Sequence, residues 1–240
     1  MEYGLQLYSL RDITGTDFEG ALRKVAAQGY KFVETAGFFG RTPEQFNAIM
    51  AETGLRLSGT HTGLKELIND YEGTLAFHKA IGNKNYIIPG HSLKNQAEID
   101  DFVEKVNDLQ PKLAAEGITL AVHNHSGDFK ANPDGSVPME QILSRTDLKL
   151  EVDTYWAFVG LKGNPIPFLD RVADRLIFVH MKDGSADGHG TPLGRGEAPV
   201  AEVYAWAAAH NIPMVVESES CTPDGPTEAK ICIDYLCSLE

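Results

Sequence analysis

The chain has 240 residues, 42% of them hydrophobic, which supplies a real core and excludes disorder as the main state. Its 21 basic against 34 acidic residues leave a net charge of −13, and no basic stripe interrupts the excess, so no nucleic acid partner is expected. Three cysteines, Cys221, Cys232 and Cys237, odd in number and late in the chain, fit a reducing cytoplasm better than a disulfide framework. No basic segment precedes Leu5 as in a signal peptide, and no apolar run approaches the roughly 20 residues of a membrane span.

Strand-like apolar runs fall, in chain order, at residues 4–8, 31–33, 55–59, 85–89, 118–122, 148–152, 176–179 and 213–216. Helical spacing separates them. Phe18, Ala21, Leu22, Val25 and Ala26 share a face over residues 17–28, with Gly29 as the stop. Thr42 caps a helix with Pro43 at its first position and Gly54 after it. Ile99, Phe102, Val103, Val106 and Leu109 form the clearest stripe, which Pro111 is expected to kink or split. Later helices are predicted at residues 164–174, 199–210 and 226–238. Eight strand–helix alternations predict a single domain over residues 1–240, a (β/α)8 TIM barrel. A doubly wound sheet is the alternative, but Leu7-Tyr8-Ser9-Leu10-Arg11 follows the first strand without a phosphate-binding glycine.

Where each apolar run ends, a polar residue follows: Tyr8, Glu34, His61, His91, His123, Asp153, His180 and Glu217, spaced 26 to 37 residues apart. A barrel brings such positions to its C-terminal mouth. His123, Asp153, His180 and Glu217, from the last four strands, have the mixed nitrogen and oxygen donors of a divalent-metal site for Mn, Co, Zn, Mg or Fe. The plain alternative is a hydrogen-bonded polar cluster. His125, two residues beyond His123, is expected to touch substrate or replace it as ligand, and Glu219 stands in the same relation to Glu217. Lys182 shares the face of His180, where it either binds a substrate oxygen or is a solvated surface lysine. Glu151 is predicted to point inward and to need Lys149 or Arg11 as its partner. Residues 184–196, rich in glycine and carrying Arg195, read as a mobile flap.

Taken together, Gln6-Leu7-Tyr8-Ser9-Leu10-Arg11, Val33-Glu34, His123-Asn124-His125 with Asp128-Phe129, Asp153-Thr154-Tyr155-Trp156, His180-Met181-Lys182-Asp183, Leu193-Gly194-Arg195-Gly196-Glu197 and Val216-Glu217 resemble the xylose-isomerase-like TIM-barrel superfamily, in its sugar phosphate isomerase/epimerase group. The resemblance implies one divalent ion held by the last four strands, a sugar, keto-sugar or polyol substrate, and chemistry through an enediolate. On position and spacing together, Glu217, His125 and Lys182 are expected in catalysis, with Tyr8, Glu34, His61, His91, Trp156, Arg195 and Glu219 binding substrate. Two departures matter. His123 stands where ketose 3-epimerases carry a metal-binding glutamate, and Asp128 is shorter than the glutamate usual after His-Asn-His, which leaves the fifth-strand ligand open between them. Trp156 stands where many relatives carry histidine, and it either stacks on a sugar ring or fills core. The alternatives are a keto-glycoside lyase or hydratase, a non-catalytic sugar-binding barrel, and the related abasic-site endonuclease, whose DNA the charge of −13 would repel. Without a glycine-rich phosphate cradle, an unphosphorylated sugar is expected, and exposed barrel helices leave a homodimer open.

Overall fold

The computed structural model describes all 240 residues. Eight parallel strands, β1 (Tyr3–Gln6), β2 (Phe32–Ala36), β3 (Arg56–His61), β4 (Asn85–Ile88), β5 (Thr119–His123), β6 (Lys149–Asp153), β7 (Leu176–Met181) and β8 (Met214–Val216), pair in chain order, and β8 closes onto β1. All eight expected strands are present. The first is shorter than predicted, because Leu7–Leu10 turns into a 3-10 helix that lifts Tyr8 outward. Others run further, so that Glu34, His61, His123, Asp153 and His180 lie inside strands rather than after them.

The helices form as their caps dictate. Asp17 caps Phe18–Gln28, and Thr42 and Gln45 make a capping box at Pro43–Thr53. Gln96–Ala115 is one uninterrupted helix, against the expected break at Pro111. Proline removes one donor there, but both Pro111 and Asn107, whose carbonyl loses its partner, are exposed, so that carbonyl is open to solvent. The segment predicted as one helix at 164–174 is Ile166–Val172 followed by a 3-10 turn, Ala173–Arg175.

Most of the core lies outside the barrel: 53 buried apolar residues pack between strands and helices, against five inside it. Those five, Phe32, Ile87, Ala121, Phe178 and Val215, plug the interior. Neighbouring strands make room for them with glycine. A Cβ at Gly4 would lie 2.2 Å from the Phe32 ring, and one at Gly59 would lie 2.7 Å from Ile87 Cδ1. Side chains alternate in and out along a strand, so the residues two positions beyond the plug also point inward. Counted from the plug and from the two glycines beside it, these are Gln6, Glu34, His61, Pro89, His123, His180 and Glu217. The plug thus sets the level at which polar chemistry begins.

Candidate functional site

His123, Asp153, His180 and Glu217 converge above the plug, their ligand atoms all within 4.8 Å of one another. His123 Nε2 is 3.7 Å from both Asp153 Oδ2 and Glu217 Oε2, and His180 Nδ1 is 3.3 Å from Glu217 Oε2. All four residues are buried. Both ring nitrogens of His123 and Oδ2 of Asp153 have no hydrogen-bond partner in the protein. Burying polar atoms unpaired costs roughly 1–3 kcal/mol each, a cost that a guest bonding to them would offset. Two imidazoles and two carboxylates suit a divalent cation, and the residues present fit the ion the resemblance implies.

Local structure aims each donor. Asp153 ends β6 and begins the Thr154–Leu161 helix, whose cap it supplies: Oδ1 accepts the Trp156 N–H at 2.8 Å, which leaves Oδ2 for the site. Asn124 clamps β5 to β6 by donating to the Asp153 carbonyl and accepting its N–H, both at 3.1 Å. Asp128 accepts the backbone N–H of His125 at 2.7 Å, so it shapes the turn while His123 takes the place among the donors.

Lys182 is 1% exposed, which excludes the solvated-surface reading. Its ammonium pairs with Glu219 and stands 3.4 Å from Glu217 Oε2 and 3.6 Å from Asp153 Oδ2, with the Trp156 ring 4.5 Å away. Burial works against its charge, but Asp153, Glu217 and Glu219 hold its pKa above the ordinary lysine value. Glu217 is pushed up by burial and pulled down further by Lys182 and His180, so it stays ionised. Burial, helped by His123, lowers His125 to about 4, which keeps that imidazole neutral.

A cavity of about 450 Å³ opens over the cluster. Tyr8, His61, His123, His125, Glu217 and Glu219 line it, joined by Ala36 and Pro89. Tyr8 is held there by Arg11, whose guanidinium lies 4.7 Å from its ring and also donates to the Glu219 carbonyl.

Several expectations are revised. Glu34 is fully buried beneath the cavity, bonded by Gln6 and His61, so no substrate reaches it. His61 lines the cavity, yet its Nε2 is engaged 2.6 Å from both Glu34 and Glu151. Burial opposes its protonation, but those two carboxylates raise its pKa to about 10. The partner of Glu151 is therefore His61, with His180 beside it; Lys149 reaches the Asp174 carbonyl instead, and Arg11 the Tyr8 and Glu219 carbonyls. His91 packs on Phe102, at 5.0 Å between rings, in a separate depression. Arg195 is exposed and outside the cavity. Trp156 is neither core nor cavity wall: half-buried, it backs Lys182 and His125. The expected flap is pinned, because the Asp183 carboxylate accepts backbone N–H groups of Gly184, Gly194, Gly196 and Ala198 over a short hairpin, Asp183–Gly184 with Gly190–Thr191. Sequence reasoning missed what Asp183, Asn124 and Gln6 do, although Asp183 and Asn124 sit next to the residues it singled out.

The profile of the xylose isomerase-like TIM barrel matches residues 22–239. The chain belongs to that family. A sugar phosphate isomerase/epimerase of Parabacteroides distasonis superposes with a TM-score of 0.85 at 23% identity, over 98% of this chain and 97% of that one. A probable 3-DHS dehydratase of Bacillus anthracis gives 0.72 at 13%, over 97% and 99%. A D-allulose 3-epimerase of Methylomonas gives 0.70 at 16%, over 100% and 98%. At these identities the likeness is one of fold. No curated protein matches the sequence. No helix is long and apolar enough to cross a membrane.

Proposed function

We propose that this member of the xylose isomerase-like family is a divalent-metal-dependent isomerase or epimerase that removes a proton next to the carbonyl of a sugar or keto-sugar. The carrying observation is the convergence of His123, Asp153, His180 and Glu217 beneath an open cavity, with both His123 nitrogens and Asp153 Oδ2 left without a partner. When bound there, the ion supplies Lewis-acid polarisation of a carbonyl and so acidifies the neighbouring C–H. Glu217 is ionised and lines the cavity, which makes it the group to take that proton. Lys182 keeps Glu217 and Glu219 charged and aligned from behind the cavity wall. Neutral His125 and the Tyr8 hydroxyl supply hydrogen bonds to sugar hydroxyls along the cavity wall. Arg11 and Lys182 are already engaged and Arg195 lies elsewhere, which supports an unphosphorylated substrate.

Elimination on the same scaffold, of the keto-glycoside lyase or hydratase kind, is the second reading. It is favoured because the donor 3.7 Å across the site from Glu217 is His123 rather than a second carboxylate, so the two sides are unlike.

The test is metal analysis of the purified chain, followed by keto-sugars and keto-glycosides in heavy water with added Mn, read by NMR. Deuterium at the carbon next to the carbonyl is expected, and an unsaturated product would select elimination. Failure to bind Mn or Zn after reconstitution, with an unmoved melting temperature, overturns the proposal. Thermal stabilisation by sugar without exchange would mark a binding protein instead, and nicking of an abasic duplex an endonuclease.

A further inference from the structure

The metal-site reading leaves open how His180 is held, and the inference here rests on that reading. Its two ring nitrogens face different groups. Nδ1 is 3.3 Å from Glu217 Oε2, within the donor set, whereas Nε2 is 3.1 Å from Glu151 Oε1 and 3.6 Å from Glu34 Oε2. His180 and both glutamates are 0% exposed, so water does not compete for these atoms. Neither His180 Nε2 nor Glu151 Oε1 makes a well-aligned hydrogen bond, with each other or with any third group, while Nδ1 lies at hydrogen-bond distance from Glu217 until a cation displaces that contact. Each is the other's nearest outlet.

A neutral imidazole carries one proton, and only the bare nitrogen binds a cation. A proton kept on Nε2 therefore frees Nδ1. Glu151 is itself firmly braced, since its Oε2 lies 2.6 Å from His61 Nε2, which lies 2.6 Å from Glu34 Oε1, and Gln6 donates to Glu34 in turn. Strand pairing also shifts register at Val33/Glu34 and at Leu150/Glu151, the steps that bring in the two glutamates. Bulges of this kind re-aim a side chain. We propose that Glu151, braced by His61 and Glu34, is a positioning residue that keeps the His180 proton on Nε2 and so presents Nδ1 to the cation. An acceptor behind a ligating imidazole fixes its tautomer and raises its basicity, commonly worth 10–100-fold in affinity.

The donor atoms of His61, His123, Glu151 and His180 also lie within 4.8 Å of one another, so a second ion there is the competing account. The His61 nitrogen already occupies the space between the two glutamates.

Two measurements decide. In the zinc-loaded protein, long-range proton–nitrogen NMR of labelled histidine should show His180 with a metal-bound Nδ1 and a protonated Nε2; the reverse tautomer overturns the proposal. This needs no variant and holds even if substitutions at Glu151 do not fold. In calorimetric titration with cobalt, Glu151→Ala should bind about 10–100-fold more weakly than the native chain, with an altered visible cobalt spectrum. Glu151→Gln, which keeps an acceptor oxygen, should recover part of the loss. Unchanged affinity and spectrum in a folded Glu151→Ala protein, or two cobalt ions per native chain, overturns the proposal and leaves the metal-site reading standing. Native protein that binds no cobalt overturns the metal-site reading itself, and this proposal with it.

Discussion

Two groups of histidine and carboxylate side chains share the barrel interior. In one, His61 lies 2.6 Å from both Glu34 and Glu151, and Gln6 supports Glu34. In the other, His123 has no hydrogen-bond partner at either nitrogen, and the Asp153 oxygen turned toward it has none either. The residue types are the same and the burial is similar. The first group is paired through His61, with only Glu34 Oε2 and Glu151 Oε1 left over, whereas in the second Lys182 stands near the carboxylates but His123 has no partner at all. Paired buried charge serves the fold, and unpaired donors mark the place where a ligand offsets their desolvation.

Substitutions should separate the two groups. The largest effect on turnover is expected from Glu217→Gln, which removes the proton acceptor: activity should fall about 10²–10⁴-fold with the circular-dichroism spectrum unchanged. Retained activity would move the base elsewhere. Next in size, Glu34→Ala leaves His61 half-paired and should cost about 3–5 kcal/mol of stability in urea denaturation. His123→Phe should behave oppositely. With metal withheld it removes unsatisfied polar atoms, so stability should hold or rise, while cobalt binding by calorimetry is lost. Equal destabilisation by the two substitutions would erase the distinction between the groups.

A titration remote from both groups gives a smaller, pH-dependent effect. Burial lowers His78 to about 4, while its Nδ1 meets the Asn83 amide at 3.1 Å. Between about pH 4 and 6.5 the unfolded chain then binds a proton that the folded chain does not, so stability falls as pH drops through that window. The slope from this one group approaches about 1.4 kcal/mol per pH unit, and His78→Gln should remove it from urea melts run at about pH 4.5 to 7. The smallest effect belongs to Arg195→Ala, which is exposed and off the cavity: kcat/KM should change by less than about twofold. A larger loss would extend the site to the pinned hairpin.

Much of this was legible in the chain itself. Period and punctuation located every strand, and the recurrence of a polar residue at each strand end picked out the four side chains that converge, because both are properties along the chain. What crosses the barrel was not legible. That Glu151 meets His61 rather than Lys149 depends on lateral register, and the two register shifts fall at the glutamates concerned. His91 fits the same rhythm as His123 but lies beyond the cavity, since rhythm does not say which way a loop turns. Pro111 misled because a helix tolerates a lost donor on a face open to water. Asp183 gathers four backbone N–H groups that its own stretch of sequence does not reveal.

The apolar plug of Phe32, Ile87, Ala121, Phe178 and Val215 makes the barrel a blind shaft. Under the proposed function, cargo would enter and leave by one opening, so ion and sugar would queue: the ion first in and last out. A bound sugar would then act as a stopper above the ion, and chelators should strip the loaded protein only as fast as the stopper lifts.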